Sequence, residues 1–273
     1  MAKIYNQFYY ENASPSEQKF LEEYRPAAYE RPSVTADIVI FTVNPAGKPC
    51  VVLIKRNDYP YRGHWALPGG FLKCGEETIY ETAIRELKEE TGLGRVFLQQ
   101  LRTYSDPSRD PRMHVISVAH FALIPWSKLQ SLEAGDDAGE VGLFEIRSCY
   151  YSDGGDEVYG YLFSKEFNNS VITLTEQSFA FDHYNIITEA LTRVYGRKDY
   201  CLDLFNLLEN PKQFTISDYK RIYTAFSFDS NSDSANFRKM FLNRYVKTGI
   251  VNDLGCKSTD GRNAELFCLN HGN

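Results

Sequence analysis

Carboxylate side chains accumulate between residues 76 and 90 of this 273-residue chain, where the sequence reads EETIYETAIRELKEE. Glu86 and Glu90 are four residues apart, so a helix places them on one face with Glu89 beside them. Like charges at this spacing repel by about 0.2–0.5 kcal/mol per pair, so packing does not explain them. A hard divalent cation does, because Mg²⁺ takes carboxylate oxygens together with substrate phosphate oxygens. The Gly-Gly loop before the helix and the arginine among its acids favour a metal site over a solvated acidic face.

The residues around these acids predict one amphipathic helix. Thr78 and Glu81 have the spacing of a capping box, in which each side chain bonds the backbone N–H of the other residue. Gly92 stands where a left-handed residue ends a helix. Three residues at intervals of four form an apolar stripe that can face a core: Ile79, Ala83 and Leu87.

The stretch 69–93 resembles a Nudix box, whose pattern is G-x5-E-x7-R-E-U-x-E-E-x-G-U with U an aliphatic residue. The second half of the pattern matches at every position, with Arg85, Glu86, Leu87, Glu89, Glu90, Gly92 and Leu93. The first half departs from it, because Phe71 stands six residues before Glu77, where the pattern has glycine. Gly70 to Glu77 is one residue too long, which predicts a one-residue insertion in the loop before the helix.

The resemblance implies a reaction and assigns residues to it. Nudix enzymes hydrolyse a nucleoside diphosphate linked to another group, which requires charge neutralisation on two phosphates and a deprotonated water. Glu86 and Glu90 are the family's metal positions, with Glu89 assisting, so Mg²⁺ or Mn²⁺ is expected as cofactor. Arg85 is expected to hold the helix to the glycine loop and to orient Glu86. The segments ALPGGF and SRDPR-x3-ISVAHF resemble ADP-ribose-type Nudix proteins, so ADP-ribose or a related nucleotide sugar is the expected substrate.

The general base must come from another segment, because the acids of the helix are assigned to metal. The acidic loop before the following strand contains Asp136, Asp137 and Glu140. Glu140 is the first choice, because the bases of this family tend to lie just before that strand. A solvated acidic loop is the alternative.

Substrate contacts are expected from Gly69 and Gly70 and from two arginines that follow the helix. Arg109 and Arg112 suit bidentate contacts with phosphate or ribose oxygens, although both could pair with the neighbouring Asp106 and Asp110. Three aromatic residues either stack on a base or belong to the core: Tyr59, Tyr61 and Trp65. Two histidines near a predicted strand are interpreted as structural: His114 and His120.

Strand-like segments surround the acidic helix. β-Branched runs at 34–43 and 50–55 are joined by hairpin residues, and strands are predicted at 95–103 and 114–124, with a short one after the acidic loop. Helices are predicted at 14–25 and 183–195. The Nudix resemblance covers about residues 35–147 and implies a mixed sheet between helices, an α+β fold of the α/β/α sandwich type. Two further strand-like stretches at 148–182 have no assigned role.

The C-terminal part predicts a winged helix-turn-helix. Helices are predicted at 199–208, 217–226 and 234–247, followed by the strand-like IVNDLG and AELFCLN around an Asp-Gly turn. NFRKMF and GRNAELF resemble segments of NrtR-type regulators of NAD metabolism, which join a Nudix domain to a winged helix. Cations on the third helix and wing are the candidate contacts to double-stranded DNA: Arg238, Lys239, Arg244, Lys247 and Arg262. A solvated charged face is the alternative.

Composition and charge limit the class of protein. Hydrophobic residues make up 43% of the chain, which is typical of globular proteins, and the length predicts about two domains. Residues 196–273 hold 11 Lys and Arg against 9 Asp and Glu, whereas residues 1–195 hold 19 against 27. The basic balance of the C-terminal part permits contact with nucleic acid.

Neither an apolar run of about 18 residues nor a signal-type N-terminus is seen, so no membrane partner and a cytoplasmic location are expected. The six cysteines include no C-x2-C pair, which indicates reduced thiols rather than zinc ligands or disulfides.

The predicted organisation is an N-terminal extension (1–34), a Nudix domain (35–182), a linker helix (183–196) and a winged-helix domain (197–273). The apolar side of the linker helix is a candidate surface for a homodimer. Two hypotheses follow: a Nudix hydrolase acting on ADP-ribose or a related nucleotide sugar, or a DNA-binding regulator whose Nudix domain senses such a ligand with little or no turnover.

Overall fold

A nine-stranded mixed sheet forms the centre of the structure. The computed structural model describes residues 7–24, 30–93, 96–129, 138–153, 156–167, 170–227, 233–259 and 262–270. The strands of the sheet are β1 (Ser33–Val43), β2 (Pro49–Arg56), β3 (Trp65–Ala66), β4 (Gly69–Phe71), β5 (Phe97–Tyr104), β6 (Val115–Leu123), β7 (Ala138–Asp153), β8 (Asp156–Phe167) and β9 (Ser170–Leu174). Their order is β5-β6-β1-β2-β7-β8-β9, with β3 paired to β2 and β4 paired to β1. β1 and β6 are parallel, and the other pairs among these strands are antiparallel.

The α-helices of the described residues are α1 (Gln7–Asn12), α2 (Pro15–Glu23), α3 (Ile79–Thr91), α4 (His183–Arg197), α5 (Ile216–Ala225) and α6 (Ser234–Phe241). The predicted N-terminal helix is α2, which begins with a capping box between Ser14 and Glu17. None of the described helices is long and apolar enough to cross a membrane.

The apolar central strands are buried on both faces by helices, which explains their β-branched composition. On one face, Ala83 and Leu87 of α3 pack with a cluster that includes Ile38 and Val52. On the other face, Ile187 of α4 belongs to a larger cluster with strand residues such as Phe41 and Phe121. This is the predicted sandwich of a mixed sheet between helices.

The stretch at 148–182 extends the sheet. The strand after the acidic loop is not short, because β7 has 16 residues and continues to Asp153. β7 then pairs with β8, and β8 pairs with β9, both antiparallel. The two strand-like segments without an assigned role are therefore the outer strands on the β7 side of the sheet.

The predicted helix at 199–208 is instead a short 3₁₀ helix, Asp203–Leu207. Buried apolar residues here recur at intervals of three, with Leu204 and Leu207 in one row and Phe205 and Leu208 in the other. That spacing fits three residues per turn better than 3.6.

The rest of the C-terminal part follows the predicted order of elements. Thr215 caps α5 through a capping box with Asp218, and α6 continues as a π-helical turn over Leu242–Val246. The strands β10 (Val251–Thr259) and β11 (Arg262–Leu269) form an antiparallel hairpin longer than predicted. The predicted Asp-Gly turn between them lies outside the described residues. Helices followed by such a hairpin are the elements of a winged helix.

The C-terminal part packs against the sheet. The rings of Phe226 and Phe41 have centroids 5.9 Å apart, and Arg197 Nη1 donates to Gln99 Oε1 at 2.9 Å. The large hydrophobic cluster contains residues from both parts, such as Phe121 and Tyr219. The hydrophobic core therefore has no break at the predicted boundary of residue 196, and the proposed domain limits stay a prediction.

Candidate ligand and metal site

The acidic helix α3 forms with the caps predicted for it. Thr78 N donates to Glu81 Oε2 at 2.7 Å, and Glu81 N donates to Thr78 Oγ1 at 3.3 Å, which completes the capping box. Gly92 ends the helix in the left-handed region with φ 69°, and its N–H donates to Lys88 O. Because Ala83 and Leu87 face the core, the helix turns its carboxylates away from that core.

Arg85 connects α3 to the loop before it. Its Nε and Nη2 donate to the two oxygens of Glu77 at 3.0 and 2.8 Å, and Nη2 also donates to Phe71 O at 3.2 Å. Its Nη1 donates to Glu86 Oε1 at 2.5 Å and to Glu89 Oε2 at 3.1 Å. One guanidinium therefore contacts both the glycine loop and two of the helix carboxylates. The role expected for Arg85, holding that loop and orienting Glu86, stays a prediction.

Glu77 takes the place of the first glutamate of the box despite the inserted residue. Hydrogen bonds from Arg85 lower the pKa of Glu77 to about 2. Lys73 N and the Thr82 hydroxyl also donate to Glu77 Oε1, at 3.1 and 2.9 Å. The longer loop turns at Gly75, whose φ is 76°, so the insertion does not separate Glu77 from Arg85.

Gly70 allows Glu86 to lie against the backbone of the glycine loop. A Cβ at position 70 would collide with the Glu86 carboxylate, and a Cβ at Gly69 would collide with Ala36 O. Glu86 is 8% exposed. Burial raises the pKa of Glu86, while its contact with Arg85 opposes that rise. The glycines are therefore needed for close approach between β4, β1 and the acidic helix.

A cavity of about 600 Å³ joins these groups to the other predicted substrate residues. Its wall includes nine of the residues considered as site candidates: Tyr59, Gly69, Gly70, Arg85, Glu86, Glu89, Glu90, Arg109 and Arg112. The wall also includes residues that the sequence did not point to, among them Asp37, Arg56, Asp58, Phe181 and His183.

Arg109 is held by acids far away in the sequence. Its Nε and Nη2 donate to Asp182 at 3.0 and 2.7 Å, and Nη2 donates to Asp37 at 3.3 Å. Its side chain is 4% exposed. Asp37 and Asp182 are therefore the partners of Arg109, in place of the predicted alternatives Asp106 and Asp110. They accept hydrogen bonds from the Nε and Nη2 groups that were predicted to bind phosphate or ribose oxygens.

Arg112 does pair with its predicted neighbour, Asp110. Its Nε and Nη2 donate to the two carboxylate oxygens at 3.0 and 2.8 Å. The side chain of Arg112 remains 40% exposed, and its guanidinium lies over Phe71 and Phe181, 5.6 and 5.9 Å from the ring centroids. Of the two predicted arginines, Arg112 is the one with a surface open to a ligand.

A buried polar network behind the cavity was missed by the sequence reasoning. Ser117 Oγ donates to Asp37 Oδ2 at 2.5 Å, and Leu67 N donates to His183 Nδ1 at 2.9 Å. Burial lowers the pKa of His183. Asp37 lies within the apolar run of β1, and a lone acid at such a position signals a buried polar contact.

The other predicted residues divide between core and surface. Trp65 is 5% exposed and belongs to the core, whereas Tyr59 is 78% exposed at the cavity wall. His120 is buried and bonded to Val118 O, which agrees with a structural role.

The structure does not bring Glu140 to the cavity wall. Glu140 pairs with Lys55 across β2 and β7 and accepts a hydrogen bond from Lys165 Nζ at 3.1 Å. That lysine lies over Phe144, in the hydrophobic cluster on the side of the sheet opposite α3. Because neighbouring strand residues alternate between faces, Glu140 points away from the acidic helix. Asp136 and Asp137 lie outside the described residues.

The donors fit a hard divalent cation that is shared with a phosphate. Glu86, Glu89 and Glu90 all line the cavity. Across the residues that the structure describes, no three acidic, histidine or cysteine side chains converge into a complete metal cage. Mg²⁺ is usually bound by one or two carboxylates plus water and substrate phosphate rather than by such a cage, so the arrangement suits this ion.

Two of the predicted DNA contacts are engaged in ion pairs. Arg238 Nη2 donates to both oxygens of Glu265 on β11, at 2.9 and 2.7 Å, and Arg244 Nη1 donates to Asp199 Oδ1 at 3.0 Å. Lys239 is exposed on α6, and Lys247 is exposed directly after the π-helical turn that ends at Val246. Arg262 begins β11, but its side chain lies outside the described residues.

The chain is similar in sequence and in fold to known Nudix proteins. A model of the NUDIX domain matches residues 33–165. A MutT/nudix family protein from Enterococcus faecalis is 31% identical in sequence, with a TM-score of 0.72, and 96% of each chain is covered. The chain belongs to the Nudix family. An ADP-ribose pyrophosphatase from Methanocaldococcus jannaschii is 42% identical to this Nudix protein over 128 residues, which cover 47% of the chain and 69% of that relative.

Other similarities extend over nearly the whole Nudix protein. The ADPR responsive transcriptional repressor NtrR of Acinetobacter baylyi is 28% identical over 257 residues, covering 92% of the chain and 88% of that protein. The structure of Shewanella oneidensis NrtR complexed with a 27mer DNA matches with a TM-score of 0.62 at 24% identity, covering 87% of the chain and 93% of that structure. This likeness shows that the fold continues beyond the Nudix domain into a similar C-terminal part.

Proposed function

We propose that the cavity binds ADP-ribose or a closely related nucleotide sugar and that the protein hydrolyses its pyrophosphate with a divalent metal. The observation that carries this proposal is the set of bonds made by Arg85. They connect Glu77 to Glu86, Glu89 and the glycine loop, and the last three form one wall of a cavity of about 600 Å³. The similarity to an ADP-ribose pyrophosphatase supports the choice of substrate.

Glu86 and Glu90 are the residues proposed to hold Mg²⁺ or Mn²⁺, which would neutralise phosphate charge and lower the pKa of bound water. Arg85 keeps Glu86 in place against Gly70, so the carboxylate does not need to reorganise when ligand arrives. The exposed edge of Arg112 is available to a phosphate or ribose oxygen.

The proton-accepting role is assigned here to Glu89 rather than to Glu140. Glu89 lines the cavity, its side chain is 56% exposed, and the structure shows a single hydrogen bond from Arg85 to it. Glu140 lies on the other side of the sheet with Lys165. A general base must reach the attacking water, and the position of Glu89 in the cavity wall supports this choice.

The test is a screen of nucleoside diphosphate derivatives with the purified protein and Mg²⁺. Release of AMP from ADP-ribose, prevented by a chelator, is expected to exceed release from NADH and from ADP-glucose. A protein that binds none of the compounds and cleaves none would contradict both the substrate class and the reaction.

A second candidate function is a DNA-binding regulator that responds to the same ligand. The observation that favours it is the set of helices and the hairpin that follow the Nudix domain. The candidate DNA contacts are Arg238 and Lys239 on α6, Arg244 on its π-helical continuation, Lys247 directly after that turn and Arg262 on β11. The likeness to a transcriptional repressor over 92% of the chain supports it. The apolar side of α4, which was predicted as part of a dimer surface, is instead buried against the sheet of the same chain. We propose that a symmetric homodimer, formed through another surface, presents two such DNA-binding surfaces to double-stranded DNA.

The helix α4 is the proposed connection between the ligand and DNA sites. Its first residue, His183, lies in the cavity wall, and the preceding Asp182 holds Arg109. Beyond its last turn, Asp199 holds Arg244 and accepts a hydrogen bond from the Tyr223 hydroxyl of α5. A ligand that displaces the Arg109 pair can thus change the position of α4 relative to the DNA-binding helices.

The coupling has a reciprocal test. An analogue of ADP-ribose that resists hydrolysis is expected to change the affinity for DNA from upstream of the gene, and that DNA is expected to change analogue affinity by the same factor. Calorimetry measures the affinity for DNA with and without the analogue and the affinity for the analogue with and without DNA. Equal analogue affinity with and without DNA would remove the regulatory proposal and leave the hydrolase proposal standing.

A further inference from the structure

Arg238 of α6 is held by the hairpin that follows it. Its Nη2 donates to both carboxylate oxygens of Glu265 on β11, at 2.9 and 2.7 Å. The side chains of Arg238 and Glu265 are 51% and 30% exposed. Because an ion pair at such a surface adds little to the stability of a fold, its main consequence is the orientation of the guanidinium group.

Buried aromatic contacts hold Glu265 next to α6. Glu265 and Phe267 are two residues apart on β11, so their side chains point to the same side of the hairpin. The rings of Phe267 and Phe241, the last residue of α6, have centroids 5.4 Å apart, and both residues are buried. Phe267 also exchanges two backbone hydrogen bonds with Phe214, at 3.0 and 2.8 Å. Because Arg238 stands one turn before Phe241, the ion pair lies beside this fixed contact between helix and hairpin.

The guanidinium group of Arg238 keeps hydrogen-bond donors for another acceptor. Within the described ranges, neither Nη1 nor Nε of Arg238 donates a hydrogen bond. When Glu265 accepts from one hydrogen of Nη2, the other hydrogen and Nη1 form a planar fork. That fork matches N7 and O6 of guanine, which are neighbouring acceptors in the major groove of DNA.

We propose that Arg238 binds N7 and O6 of a guanine in the major groove and that Glu265 is the positioning residue that makes this contact selective. This inference rests on the proposed DNA-binding function. A guanidinium held by Glu265 loses little conformational freedom when it binds a base, whereas a free arginine side chain can turn to a nearby phosphate. The carboxylate also repels DNA phosphates, so Glu265 lowers affinity for DNA in general while it raises the preference for guanine.

The experiment compares two forms of the same DNA from upstream of the gene, one with guanine and one in which 7-deazaguanine replaces every guanine. The second form lacks the N7 acceptor and keeps the charge of the backbone. Fluorescence anisotropy measures the affinity of the purified protein for each form, and the ratio of the two affinities is the guanine preference. The wild type is expected to bind the DNA with guanine about tenfold more tightly.

Glu265→Gln is expected to lower the guanine preference by about threefold or more, while its affinity for the 7-deazaguanine DNA stays equal or increases. A merely structural role would give a different result, because a damaged hairpin would weaken binding to both forms. Arg238→Lys keeps the charge without the fork, so its guanine preference should fall at least as far. Lys247→Ala is the matched control, because loss of a phosphate contact should weaken binding to both forms equally.

The outcomes separate this inference from the proposed function. Equal binding of both forms by the wild type, or a guanine preference that survives Arg238→Lys, would overturn the contact with guanine. An unchanged preference in Glu265→Gln, or weaker binding of this variant to both forms, would overturn the role of Glu265. In each of these cases the proposed DNA-binding function stands. A wild-type protein that binds neither form at low salt would overturn the DNA-binding function and this inference together.

Discussion

Arg244 donates to Asp199 at 3.0 Å, and Asp199 stands two residues beyond the end of α4, the helix that begins at the ligand cavity. One of the proposed phosphate contacts to DNA is thus held by a carboxylate that is attached to the ligand-binding side of the molecule. A guanidinium bound to a carboxylate must give up that partner, or share it, to bind a phosphate.

Asp199→Asn is expected to increase affinity for DNA, because it removes the negative charge that competes for Arg244. The dependence of log affinity on log salt should become steeper by about one, as for one added phosphate contact. Fluorescence anisotropy on DNA from upstream of the gene measures both quantities. Asp203→Asn is the control, because Asp203 pairs with Arg197 instead. Unchanged or weaker DNA binding in Asp199→Asn would exclude the competition.

Gly70→Ala is expected to disturb metal binding more than folding. The added methyl group meets the Glu86 carboxylate, which is the end of a flexible side chain and can move aside. The cost in stability should stay below about 2 kcal/mol, whereas Mn²⁺ affinity should fall. Gly196→Ala is the matched control, because a Cβ there meets nothing within 4 Å. Metal titration and thermal melting distinguish the effects, and normal Mn²⁺ affinity in Gly70→Ala would argue against Glu86 as a ligand.

Stability is expected to fall as pH decreases below about 6.5, because His183 remains neutral in the folded protein. Burial lowers the pKa of His183, and Arg109 and Arg56 act in the same direction, while Asp37 and Asp182 oppose them. The unfolded chain therefore takes up a proton near pH 6.5 that the folded chain does not, which favours unfolding.

Thermal melting between pH 8 and pH 5 measures this effect. His183→Gln should be less stable at pH 8 and should show a smaller loss between pH 8 and pH 5. An identical pH profile for the two proteins would mean that His183 does not carry the effect.

Much of the acidic helix could be predicted from sequence, because its determinants are local. The capping box of Thr78 and Glu81 and the glycine at position 92 are close in the chain and appear as predicted. The pairing of Arg85 with Glu77 also spans only eight residues. Local spacing therefore predicted the helix, its ends and the arrangement of its acids.

The rest of the cavity depends on contacts between distant segments. Arg109 pairs with Asp37 and Asp182, which are 72 and 73 residues away in the sequence. The partners considered from the sequence, Asp106 and Asp110, were therefore wrong for this arginine. Glu140 was chosen for its position before a strand, but the face of the sheet on which it lies depends on the register between β2 and β7. The ring of Phe181 reaches the cavity through an unusual backbone turn that has no pattern in the sequence.

Glu89→Gln is expected to reduce turnover of ADP-ribose by about 10²–10⁴-fold, as for loss of a general base. Glu140→Gln should leave turnover within about twofold of the wild type, because its carboxylate pairs with Lys165 away from the cavity. Steady-state rates with Mg²⁺ decide between them. A large loss in Glu140→Gln alone would restore Glu140 as the base.

The central claim is that the acids of α3 act on a nucleoside diphosphate in this cavity. The most direct measurement is the rate of AMP release from ADP-ribose in Mg²⁺ for the wild type, Glu90→Gln and Glu76→Gln. Glu90 lines the cavity, whereas Glu76 is exposed in the preceding loop and serves as the matched loss of a carboxylate. The account predicts AMP release by the wild type and Glu76→Gln and a loss of about 10²-fold or more in Glu90→Gln. Equal rates in Glu90→Gln and the wild type, or no release by the wild type above the protein-free reaction, would contradict it.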